Sequence, residues 1–213
     1  MAKGSGGTRG AAGGGSGSGS LSAEQRQLLE TTMLLSPNLQ YKADLVGLKG
    51  YKGVTDPKVA SELQEAVKMY AKEIGLSEPV NIHIETLPKG RRGVSQATGY
   101  ISLSKNYFGG SYSKTLKGAM DYIKSGGSVD VSRPIMKTLH HELGHKTYNY
   151  LSSSKKAKVG EIFSKFTSSK STPKGWGSYS KHSAEEFFAE GMAKSLTGKS
   201  DSYTKALRKL LKS

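Results

Sequence analysis

Apolar residues recur every three to four positions through Val59, Leu63, Val67, Tyr70 and Ile74, the spacing of one face of an α-helix. Asp56 can accept from the first free backbone N–H groups, and Pro57 fits the first helical position, where its missing N–H costs nothing. Gly75 supplies the stop. The period then changes. Residues 80–87, "VNIHIETL", alternate apolar and polar, which predicts a strand with Val80, Ile82 and Ile84 on one face and His83, a solvated residue, on the other. "PKGRRG" reads as a turn, and 94–104, "VSQATGYISLS", as one bent strand or two short ones around Gly99. A loop is expected over 105–112, then a basic helix over 113–124 that breaks at "SGGS". Helical signals return afterwards. Ser132 and Pro134 start a helix running to Tyr150, another covers 155–168, Ser183 caps "AEEFFAEGMAKSL", and a last helix spans 202–212. Upstream, Ser22 and Gln25 form a capping box for a helix to about Leu35, while 39–55 carry no clear period.

Helices, a few strands and more helices make an α+β chain with a small mixed or antiparallel sheet. At 213 residues the chain suits one buried domain, expected over 21–213 with its working core at about 76–198. The Gly/Ser-rich segment 1–20 buries no apolar surface and reads as a disordered tail.

Composition narrows the chemistry. No run approaches the roughly 18–20 apolar residues that span a bilayer, and the N-terminus lacks a hydrophobic signal core. The expectation is a cytoplasmic or virion-associated protein without membrane contact. There is no cysteine, so any metal must be held by His, Asp or Glu. A net charge of +15 predicts attraction to nucleic acid, anionic lipid or an acidic substrate. The lysines are dispersed, however, and Arg91-Arg92 is the only adjacent arginine pair. Without a recognition motif, this supports at most non-specific nucleic-acid contact.

"TLHHELGHKT" (138–147) holds three of the five histidines. His141-Glu142-Leu143-Gly144-His145 is an H-E-x-x-H motif inside a predicted helix, the context that motif requires. Residues four apart share a helical face, so both imidazoles can reach one metal ion. Glu142 lies about 100° round the helix, beside the metal rather than on it, where it can accept a proton from an activated water. His140 has no such partners and reads as a packing residue. Position 151 is Leu, so no third histidine follows on the longer H-E-x-x-H-x-x-G-x-x-H pattern. Downstream candidates for a third ligand are Glu161, His182, Glu185, Glu186 and Glu190. Glu186 and Glu190 are one turn apart on a helix anchored by Phe187 and Phe188, and an inward pair of carboxylates needs a cation.

"HELGH" followed by "YSKHSAEEFFAE" (179–190) resembles the catalytic domain of anthrax lethal factor and its relatives, zincins of the gluzincin type. Similar small domains occur in phage head and mobile-element proteins. The resemblance covers about residues 135–195 and implies a zincin-like metallopeptidase fold with Zn2+ held by His141, His145 and Glu186. It also implies Glu142 as general base, Tyr179 as donor to the oxyanion, and Glu190 as the hydrogen-bond partner that fixes a ligand histidine's tautomer. A peptide or protein substrate would lie along an edge strand, for which 95–102 is the candidate. The expected function is zinc-dependent endopeptidase. The rival is a non-catalytic virion or structural protein of the same fold with a basic nucleic-acid-binding surface.

Overall fold

In the computed structural model, residues 54–75, 81–95, 100–169 and 171–213 are described. The predicted tail at 1–20 and the helix at 22–35 lie outside them. Among the described residues the chain is α+β, with seven α-helices and one three-stranded mixed sheet. In order these are α1 (Pro57–Glu73), β1 (Asn81–Glu85), β2 (Gly93–Ser95), β3 (Tyr100–Ser104), α2 (Lys105–Phe108) and α3 (Tyr112–Lys124). They continue with α4 (Pro134–Tyr150), α5 (Ser153–Thr167), a 3-10 turn (Ser178–Lys181), α6 (Ala184–Thr197) and α7 (Ser202–Lys212).

The periodicity of α1 has the expected consequence. Val59, Leu63, Val67 and Tyr70 are fully buried, and the Asp56 carboxylate accepts from Lys58 N–H at 2.9 Å. Two bonds fasten this helix to α4. The Tyr70 hydroxyl meets Thr147 Oγ1 at 2.8 Å, and His140 Nε2 lies 2.8 Å from the Ala66 carbonyl.

The sheet order is β1-β3-β2. β1 runs parallel to β3, with Ile82 opposite Ile101 and Ile84 opposite Leu103, all four buried. β2 runs antiparallel to β3, with Val94 opposite Ser102. The sheet is therefore mixed rather than antiparallel, because the chain between β1 and β3 contains β2, which runs the other way. The expected edge strand at 95–102 is also corrected. Ser95 belongs to the edge strand β2, while Tyr100–Ser102 lies in β3, the central strand, and 96–99 fall outside the described residues. His83 is half-buried and stacks on Tyr100 at 4.4 Å between ring centres. The expected loop at 105–112 contains the single helical turn α2, fastened by buried Phe108.

Helix α4 is central, with α1 on one side, α6 on the other, and α3, β2 and β3 against it. Gly144 is what allows α6 so close: a Cβ there would lie 2.7 Å from the Ala189 Cα. Behind α6, Phe187 stacks on Trp176 at 5.0 Å, and Phe166 and Tyr203 complete the aromatic cluster. The cluster packs α6 against α5 and α7, while Phe188 meets Tyr148 of α4 at 5.6 Å; truncating a buried phenylalanine such as these typically costs about 3–5 kcal/mol. No helix among the described residues is long and apolar enough to cross a membrane.

Candidate metal centre

The crossing of α4 over α6 brings His141, His145 and Glu186 together. His141 Nε2 and His145 Nε2 are 3.0 Å apart, and Glu186 Oε2 is 3.3 Å from each. Donor atoms around a tetrahedral zinc, bound at about 2.0–2.1 Å, stand about 3.3–3.4 Å from one another. The triangle is thus close to one face of such a tetrahedron.

The tautomers point the same way. His145 Nδ1 lies 2.8 Å from Glu185 Oε1, so its proton sits there and leaves Nε2 with a lone pair. His141 Nδ1 lies 2.9 Å from Glu190 Oε1, although the contact is bent away from the ideal N–H direction. Glu186 Oε2 is buried and receives no hydrogen bond. Three acceptors aimed at one point need a positive charge among them, either a proton or a metal ion. Burial and the Lys137 ammonium oppose protonation of His141, but Glu186 and Glu190 outweigh them and raise its pKa to about 9. His145 is raised in the same way: burial opposes its charge, and Glu186 overcomes that. Burial works against the Glu186 carboxylate too, yet the two histidines hold it well below the usual range.

Glu190 is the most heavily bonded carboxylate here. It is fully buried and accepts from Val129 N–H at 2.9 Å, from the Ser128 hydroxyl at 3.1 Å and from the buried Lys137 ammonium. Burial raises its pKa, but Lys137 and then His141 pull it far below normal, so it stays charged behind His141.

Glu142 points to the strand side of the helix. Its carboxyl lies against β2 at Gly93, where a Cβ would come within 2.6 Å of Glu142 Oε1. Burial raises the Glu142 pKa, with His141, His145 and Lys137 opposing, a shift that makes a carboxylate a better proton acceptor. The Tyr179 hydroxyl donates to Glu186 Oε1 at 3.0 Å. Burial and Glu186 raise the Tyr179 pKa, so the phenol keeps its proton and remains a donor. These groups share one cavity of about 430 Å³, bounded on the other side by residues 90–95 and Tyr122.

No protein-family model, curated protein or solved structure matches this chain. The site therefore stands on its geometry.

Every expected site residue lies at this cavity: His141, His145, Glu186, Glu142, Tyr179 and Glu190. His140 faces α1 instead, fully buried, its pKa depressed to about 4 by burial. Of the other candidates, Glu161 is exposed on α5, and His182 lies beside Tyr179, outside the triangle. Glu185 is not at the triangle either but holds His145, a role that sequence reasoning did not assign. Lys137 was missed as well, although it precedes His141 by one helical turn, and that spacing was its signal. The break "SGGS" also does more than end α3. Gly126 and Gly127 carbonyls accept from Ser178 and Tyr179 N–H at 3.0 and 3.2 Å, and Ser128 serves Glu190. Gly177 lies so close to Ser128 that a Cβ would stand 2.4 Å from its nitrogen, which seats the Tyr179 turn.

Proposed function

We propose that this chain is a zinc-dependent endopeptidase with a zincin-like fold of the gluzincin type. The observation that carries this reading is the convergence of His141 Nε2, His145 Nε2 and Glu186 Oε2 within 3.3 Å, beside a buried Glu142 on one cavity. Two imidazoles and one carboxylate form a ligand set that leaves a fourth position open, as catalytic rather than structural zinc sites do. The motif-bearing α4 lying under an edge strand of a mixed sheet supports the fold assignment.

A zinc ion held by His141, His145 and Glu186 would supply Lewis acidity for activating a water and polarising a scissile carbonyl. The residues of the chain do the rest. Glu142 takes the proton of the attacking water and later delivers it to the leaving amine. Tyr179 turns its hydroxyl from Glu186 toward the oxyanion that forms on the substrate carbonyl. Glu185 holds the His145 Nδ1 proton and the Glu190 carboxylate stands 2.9 Å from His141 Nδ1, which favours turning both Nε2 atoms toward the metal position. Among the described residues β2 pairs with β3 alone, and its other edge is where an extended peptide could take main-chain hydrogen bonds.

Metal analysis of the purified chain is expected to give about one zinc per molecule. A diverse peptide library is expected to be cut by the native chain and not by Glu142→Ala. Absence of zinc would sink the reading. Salt-sensitive DNA binding that is indifferent to Glu142→Ala, without any cleavage, would favour the non-catalytic rival instead.

A further inference from the structure

One wall of the cavity carries its carboxylates together with Lys137, and the other carries two arginines. α4 and α6 supply Glu142, Glu185, Glu186 and Glu190, while the approach to β2 supplies Arg91 and Arg92. Three of the carboxylates are engaged within their own wall. Glu185 holds His145, Glu186 stands at the metal triangle, and Glu190 pairs with Lys137 and His141. Neither arginine is ion-paired: among the described residues, no carboxylate lies within ion-pair distance of either guanidinium, and Asp121, itself paired with Lys117, acts on Arg92 only from farther away.

Arg92 is held firmly nonetheless. Its guanidinium lies 4.2 Å from the Tyr107 ring centre and 4.7 Å from that of Tyr122, and Nη2 donates to the Gly118 carbonyl at 2.7 Å. A guanidinium has more N–H donors than the one spent on Gly118. Burial works against its charge, so an anion brought alongside would relieve a real cost. Tyr122 links this clamp to the metal centre, because the Lys137 ammonium lies 5.7 Å from the same ring. A fixed, half-buried arginine discriminates for a carboxylate better than a solvated lysine does, since the field is less screened and the fork is already oriented.

We propose that Arg92, with Arg91 beside it, forms a carboxylate-binding subsite that selects peptides carrying an acidic group close to the bond presented to the metal centre. The proposal rests on the peptidase reading and adds a substrate class to it. The overall charge of +15 draws anionic chains from every direction, whereas these two arginines assign the preference to a place. The carboxylate can belong to an Asp or Glu side chain or to a peptide C-terminus, and the two are separable by experiment.

The test scans Asp against Asn through a neutral labelled peptide, with free and with amidated C-termini. Binding to zinc-loaded Glu142→Ala is read by fluorescence anisotropy, and turnover of the same peptides is read with the native chain. At one position Asp is expected to bind on the order of tenfold tighter than Asn. Arg92→Met should remove that ratio while zinc content is kept, Arg92→Lys should retain part of it, and exposed Arg91→Met should weaken it. A preference that vanishes on amidation assigns the subsite to a chain terminus. Equal binding of all peptides, or a preference unmoved by both Met substitutions, overturns the proposal. Asp-selective binding without any cleavage removes the peptidase reading and leaves the subsite standing. Cleavage without Asp selectivity does the reverse.

Discussion

His140 and His141 are neighbours in the chain and opposites in chemistry, because they sit on different faces of α4. A rotation of about 100° separates them. On the α1 face, His140 meets one backbone carbonyl in an otherwise apolar contact, and burial depresses its pKa to about 4. On the α6 face, burial acts on His141 just as strongly, yet two carboxylates overcome it and raise the pKa to about 9. Burial alone therefore does not make a metal ligand. The carboxylates delivered by the second helix are what set the His141 side apart, since they stabilise a positive charge there.

The largest break in this comparison is expected from alanine substitution on each face. His141→Ala should reduce zinc from about one per chain to near zero and abolish peptide cleavage, while His140→Ala should leave zinc stoichiometry unchanged; atomic absorption on both proteins decides it. Tyr179→Phe keeps the ring and removes only the donor. It should slow turnover roughly 10- to 1,000-fold at unchanged zinc content, and an unchanged rate would reduce Tyr179 to a packed aromatic. Glu190→Gln, which leaves Lys137 without its counter-ion, should weaken zinc affinity about 10- to 100-fold in competition with a fluorescent chelator. On the α1 face, His140→Ala should cost about 1–3 kcal/mol in denaturant unfolding through the lost bond to Ala66.

The two histidines also predict opposite pH slopes in the metal-free chain. His140 has a folded pKa below its ordinary 6.5, so its contribution is present above that value and is lost as pH falls toward about 4. His141 has a raised folded pKa, so its contribution is full below 6.5 and is lost as pH rises through about 9. Unfolding of the chelator-treated protein across this range should show both slopes. His140→Gln should flatten the acid side and His141→Ala the alkaline side.

Much of this was legible because it depends on neighbours along the chain. The stripe Val59–Ile74, the caps at Asp56 and Ser183, and the H-E-x-x-H register each need only helical periodicity. The sheet was less legible. Its parallel pairing and its true edge, Gly93–Ser95, depend on how β1 and β3 meet across the intervening strand, which no local pattern encodes. Glu185 was legible only as one of five candidates for a third ligand, for a similar reason. At the first turn of α6 it looks like an ordinary dipole-favouring acid, and only the crossing angle sets it against His145. Residues 125–128 read as a break because glycine marks a turn without saying what the turn supports.

The sequence by itself determined which side chains are available to a metal and which helix faces they occupy, since spacing along one helix is fixed by its 3.6-residue period. It also determined that any metal ligands must be histidine or carboxylate, because there is no cysteine. Only the tertiary structure decided the His145 tautomer, the role of Lys137 and the place of Arg91 and Arg92 at the cavity. Those depend on distances of a few ångströms between residues far apart in the chain, 26 for Arg92 and Gly118 and 53 for Lys137 and Glu190, and Gly144 and the phenylalanines of α6 set how closely two of the helices pack.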